Sequence, residues 1–258
     1  LLSIPWLQEI GKGELHLITD ETRHAMGGVF LFDFLRDMPL SWPFQYAYEY
    51  YGKYPAVAIG YWPPAFYLFE SAFFAVFGIS VWVSRLAILP FAVAGAFFGY
   101  KIVRQYARPE LALTTMVIYA CLPSLLLYEK STMLEIPTLA LCLGAIYFWL
   151  LLLRTERPAY FYAAALFAVW AFLTKQTAVF VVPFFGLHLL LERKWFLLKW
   201  KHTYIALVGV VLLVLPWQLL VMEIYPLALE RATAGFGKPW SNPLGKALTY
   251  YPLTLPGE

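Results

Sequence analysis

Charge is scarce in this chain. Asp, Glu, Lys and Arg make up 14% of its 258 residues, where a soluble domain carries about 25%. Cysteine is scarcer still. Cys121 and Cys142 are the two present, and both lie in apolar runs, so they read as buried thiols rather than a disulfide. No repeat and no low-complexity tract is visible. The net charge of +3 is too small to argue for nucleic acid as a partner. What is abundant is oil: 61% of the residues are hydrophobic and 19% are aromatic. This composition defines an integral membrane protein, with Trp and Tyr suited to the membrane interfaces.

Six apolar runs are candidate spans: 81–100, 111–128, 134–153, 159–174, 177–191 and 204–222. A bilayer core needs roughly 17–25 helical residues. The first three runs and the last meet that length. The fourth and fifth are short, with only "TKQT" between them, and read as tilted helices or incomplete crossings.

The loops between these runs differ in charge. Lys101, Arg104, Arg108, Arg154, Arg157, Arg193, Lys194, Lys199 and Lys201 lie on one side. The alternate loops hold only Lys130 and Lys175. The positive-inside rule assigns the nine cations to the cytoplasm. Six crossings then put residues 1–80 and 223–258 on the outer face with Lys130, Glu135 and Lys175. The opening "LLSIPWL" reads as the outer end of a preceding transmembrane helix, and the whole as a fragment.

Within the first outer segment, "DETRHAMGGVFLFDFLRDMPL" has the pattern of a helix. Asp20 and Glu21 stand at its N-terminus, where the helix dipole favours acids. "SWPFQYAYEYYGKYPAVAIGYW" is aromatic and broken by Pro and Gly, as expected of a segment in the headgroup layer. "PPAFYLFESAFFAVFG" opens with Pro63 and Pro64, which suit a first helical turn. Its apolar run of about 14 residues is short for a span, so it reads as a second interfacial helix with Glu70 turned to water or into the protein.

In order along the chain, "TDETRHA", "YWPPAFYLFESAFFAVFGISVWVSRLAIL", "YEKSTMLEIPTLAL", "AFLTKQTAVFVVP" and "VLPWQLLVMEIYP" resemble motifs of the polyprenol-dependent glycosyltransferases of family 39, the protein-mannosyltransferase and aminoarabinose-transferase type. The resemblance implies an all-α membrane protein: a multi-span helical bundle with amphipathic juxtamembrane helices in the first outer loop, the large integral-membrane glycosyltransferase fold. It also implies a reaction. A sugar moves from a polyprenyl (dolichyl-type) phosphate to an acceptor protein, lipid or polysaccharide. Such chemistry needs a carboxylate to take the acceptor's proton, cations to hold the leaving phosphate, and a site at the membrane edge where the lipid tail stays in oil.

Carried over motif by motif, the resemblance makes Asp20 the candidate base. Glu21 and Glu135 are further candidate catalytic acids, Glu21 in support of Asp20. Taken alone, an acid at Asp20 is a helix cap. Glu135 opens a span, where a charge is costly unless used. Lys175, Arg85 and Lys130 are candidate phosphate-binding cations, although Lys175 could equally be a snorkelling side chain. The family often has a Lys or His just before the Pro-Pro pair. This chain has Tyr61 and Trp62 there, so Trp62 becomes a candidate sugar-stacking residue. A divalent metal ion is an optional cofactor of the resemblance, with no metal ligand assigned here. His24 and His188 read as lone core histidines. The competing class is a multi-span transporter of a lipid-linked or small polar solute, but the span centres are nearly charge-free. The expected location is a bacterial inner membrane, with the site facing outward.

Overall fold

The computed structural model describes residues 15, 20–39, 43–57 and 60–224. The expected end of a preceding helix and nearly all of 223–258 lie outside the described residues. Every regular element among the described residues is helical, as the composition requires. The chain divides into two compact units, Leu1–Trp217 and Gln218–Glu258. The second is described only over the last residues of the final helix.

Three helices precede the bundle: α1 (Glu21–Asp37), α2 (Pro43–Lys53) and α3 (Ala65–Phe77). α1 buries Glu21, His24, Ala25, Gly27 and Gly28, a stripe at helical spacing. That stripe meets α3, which buries Phe66, Tyr67, Glu70, Ser71 and Phe74. Gly28 makes the approach possible: a Cβ built there would stand 2.2 Å from Glu70 Oε2. Glu70 therefore points into the protein, fully buried. α2 is a helix where the sequence suggested a broken segment. Its Tyr side chains supply the reason. Tyr46 and Tyr50 stack on each other, and their hydroxyls donate to Asp37 and Asp33 of α1 at 2.9 and 2.8 Å. Burial and Asp33 push the Tyr50 phenol well up.

Gly78 ends α3 with φ +82°, a left-handed turn that glycine enters without cost. Ser80 then caps α4 (Val81–Leu86), its hydroxyl accepting from Val83 N–H at 3.2 Å. α5 (Leu89–Val103) follows almost in line, and the two together form a span-length run over Val81–Val103. The run expected at 111–128 is not one helix. It divides into α6 (Pro109–Ala120) and α7 (Pro123–Glu129), because Pro123 has no N–H to continue a helix through Cys121 and Leu122. Cys121 is exposed there, not buried, while Cys142 is buried as expected.

α8 (Glu135–Thr155) is the central helix, packed against α5 and α9 (Pro158–Thr174). A short 3-10 turn, Gln176–Phe180, leads into α10 (Val181–Leu191), and α11 (Lys201–Ile224) closes the described chain. Phe66, Ile88, Leu134, Ile136, Ala140 and Ala171 form the main buried core. Among the described residues, Val81–Val103, Glu135–Thr155 and Lys201–Met222 are long and apolar enough to cross a membrane, while Pro158–Thr174 and Gln176–Leu191 are shorter apolar helices.

The bundle has two chemically distinct ends. At one, Arg154 reaches the Gln105 carbonyl at 3.3 Å and lies over the Tyr106 ring. Lys194 there pairs with Glu156 at 2.6 Å. These residues come from the cation-rich loops. The other end gathers α1, the start of α4, the α7–α8 turn and the α9–α10 turn.

Candidate functional site

Glu21 and Arg85 form the buried centre of that second end. Arg85 Nε donates to Glu21 Oε1 at 2.8 Å and Nη2 donates to Oε2 at 3.2 Å. Glu21 is 0% exposed and Arg85 3%, so the two-point contact is shielded from water. Thr132 N–H adds a third bond to Oε1 at 3.0 Å. A charge buried this deeply survives only when it is paired and hydrogen-bonded. The arrangement ties α1, α4 and the α7–α8 turn to one carboxylate. A neutral extension runs beside it: Ser84 Oγ lies 2.7 Å from Thr132 Oγ1 and donates to Glu70 Oε1 at 2.5 Å. Burial pushes the Glu70 carboxyl well above its ordinary range, against the opposing bond from Ser84.

Asp20 is different. It occupies the N-cap position of α1, yet its side chain makes no capping hydrogen bond. Its carboxylate pairs with Arg23 at 3.1 Å and is 43% exposed. Glu135, at the first position of α8, meets Lys175 of the α9–α10 turn, Nζ to Oε1, at 2.6 Å. That pair is part-buried, and Glu135 Oε2 is buried without a hydrogen-bond partner. Lys130 ends α7, half-buried, in the loop that carries Thr132.

Trp62 lies against α1. Its ring meets the His24 imidazole edge-on, with centroids 4.6 Å apart. His24 Nδ1 is 2.8 Å from the Tyr67 hydroxyl. Burial first, then the charges of Lys175 and Arg23, lower the His24 pKa to about 3. Burial and the nearby carboxylates of Glu70 and Asp20 push the Tyr67 phenol well up.

The candidates read from the sequence thus fall at one end of one bundle. Glu21 joins Arg85, Glu135 joins Lys175, and Trp62 joins a histidine that the sequence left as core. His24, Tyr67, Thr132, Ser84 and Glu70 were not singled out as site residues. For His24 the signal was present: it stands three residues after Glu21 and four before Gly28, on the buried stripe of α1. Thr132 reaches Glu21 through its backbone N–H, which left none. Among the described residues no three His, Cys, Asp or Glu side chains gather as a metal ion would require.

The described residues form a helical membrane bundle with one buried, charged end. The chain belongs to the dolichyl-phosphate-mannose-protein mannosyltransferase family, whose model matches residues 62–218, more than half of its length. Two crystal structures of ArnT from Cupriavidus metallidurans share the fold. The apo form is 17% identical, with a TM-score of 0.65 over 88% of this chain and 41% of that one. The form bound to undecaprenyl phosphate is 18% identical, with a TM-score of 0.66 over 87% and 40%. The chain therefore spans about two fifths of the length of those proteins. The curated proteins contain no match.

Proposed function

We propose that the protein transfers a sugar from a polyprenyl phosphate to an acceptor on the outer face of the membrane. The acceptor's hydroxyl or amine attacks the anomeric carbon, and its proton passes to the Asp20 carboxylate. The bond from that carbon to the phosphate oxygen breaks, and the lipid phosphate leaves with the bonding pair, held by Lys175. Asp20 carries this reading. It stands where a capping acid would stand but does not cap, and its half-exposed carboxylate is open to an acceptor. Glu21 cannot take that part while it is enclosed by Arg85 and Thr132. Its role is to hold the start of α1, and so Asp20, against the bundle. Glu135 holds Lys175 until the phosphate arrives. Arg85, committed to Glu21, acts on the phosphate only through this scaffold, and Lys130 is a second cation of the same end.

The undecaprenyl phosphate held by the solved ArnT supports a lipid-phosphate donor. The cation-rich opposite end supports an outward-facing site by the positive-inside rule, in keeping with a bacterial inner membrane. The test is to incubate the full-length protein in membranes with a tagged polyprenyl-phosphate sugar and a panel of protein, lipid and polysaccharide acceptors. Donor consumption with one acceptor class labelled is the expected result. An intact donor with every acceptor would overturn the proposal. Orientation has its own test. A cysteine at Lys53 should react with an impermeant maleimide from outside intact cells, and one at Lys199 should not. The reverse labelling would move the site to the cytoplasmic face.

A further inference from the structure

We propose that His24 is a phosphate-binding residue, with Nε2–H donating a hydrogen bond to the lipid phosphate beside Lys175. This rests on the reading that a lipid phosphate binds at this end of the bundle.

The proton on Nε2 follows from Tyr67. Its phenol stays protonated in this buried position, and among the described residues its hydroxyl has one hydrogen-bond partner, His24 Nδ1 at 2.8 Å. If Nδ1–H donated to Tyr67, the Tyr67 O–H and the Nε2 lone pair would both lack partners. If Tyr67 donates to Nδ1, one group remains unmet, and it is Nε2–H. A neutral imidazole has one N–H and one acceptor nitrogen, so the second arrangement also fixes the tautomer.

The unmet N–H is the telling feature. His24 is 2% exposed, and Nε2 is not one of the fully enclosed unpartnered atoms among the described residues, so a ligand can reach it. Trp62 closes over the ring edge-on, while no described residue accepts from Nε2. The charges that act on the ring are those of Lys175 and Arg23, both cations. A donor nitrogen in a positive field suits an anion. Burial first, and then the same two cations, keep the imidazole neutral, so His24 serves as a donor without carrying a charge of its own. Tyr67 and Trp62 hold the ring from two sides, which fixes where Nε2 points.

Two substitutions separate the nitrogens. His24→Asn retains an acceptor near Nδ1 for Tyr67 and removes the Nε2 donor. His24→Gln retains an N–H near Nε2. The full-length protein, purified in nanodiscs, is titrated with undecaprenyl phosphate and with undecaprenol, and its melting temperature is recorded for each variant. His24→Asn should weaken undecaprenyl phosphate binding at least tenfold, while undecaprenol binding and melting stay at parental values. His24→Gln should keep affinity within about threefold, as the scatter of single polar contacts allows. If the parent binds both lipids alike, the lipid-phosphate reading fails and the inference with it. If the parent prefers the phosphate and His24→Asn binds it as the parent does, His24 is only a core residue and the wider reading stands. If His24→Gln is the weaker binder and melts lower, the Tyr67 bond is what matters and the inference is overturned.

Discussion

Glu21 and Arg85 meet at two points, 2.8 and 3.2 Å, across 64 residues of sequence, and neither side chain is more than 3% exposed. A buried pair is costly to break from one side, since the survivor is left charged without its ion-pair partner. Loss of one partner typically costs about 3–5 kcal/mol, whereas replacing both by apolar groups is often neutral. Arg85→Met and Glu21→Leu should therefore each lower the melting temperature sharply. The double variant should recover much of the loss in melting temperature without recovering transfer. Additive losses in the double variant would mean that the two residues contribute separately.

Asp20→Asn isolates chemistry from structure. The Asp20–Arg23 pair is exposed, and such pairs contribute about 0–1 kcal/mol, so melting should scarcely change. Loss of a general base costs about 10²–10⁴ in rate. Sugar transfer should fall at least a hundredfold. A folded Asp20→Asn protein that transfers at the parental rate would remove Asp20 from the reaction.

Lys175 shares Glu135 with no other described cation. A hydrogen bond to a charged group is worth about 1.5–3 kcal/mol, so Lys175→Ala should raise the KM for the donor roughly tenfold or more. Lys175→Arg should restore only part, because a planar guanidinium does not reproduce a point charge. An unchanged KM for the alanine variant would make Lys175 a snorkelling side chain.

His24 gives a pH dependence whose sign is fixed. Its folded pKa, about 3, lies below the ordinary value of 6.5. The unfolded chain thus binds the proton more readily between these values, and folding stability from this residue falls as pH drops through that window. Above about 6.5 the contribution is complete. After burial, the charges that shift the ring are those of Lys175 and Arg23, both cations that deepen the depression. Melting of the parent should decline between pH 6.5 and 4.5 more steeply than melting of His24→Gln. Parallel curves would show that His24 protonates without penalty.

The membrane class, the span-length helices at Val81–Val103, Glu135–Thr155 and Lys201–Met222 and the clustering of charge at two ends were legible because hydropathy and loop charge are properties of contiguous residues. The Pro123 break was legible in principle from a single residue, but hydropathy averages across it. α2 was missed because its stability comes from Tyr46 and Tyr50 meeting Asp37 and Asp33, a tertiary contact that no local pattern announces. The candidate site was legible as residue types and not as partnerships. Glu21 and Arg85 read as an acid and a cation with separate tasks, and only the fold joins them.

The same pairing sets an order of events during synthesis. Glu21 is made 64 residues before Arg85 and 111 before Thr132, so these bonds to its carboxylate wait until α4 and then the α7–α8 turn have been delivered. Contacts so distant in sequence form late, after the chain between them has been closed into place. The helix that presents Asp20 is thus translated before the elements that fix it, and settles after them. A protein halted partway through insertion would carry this charged end unassembled until the bundle behind it was complete.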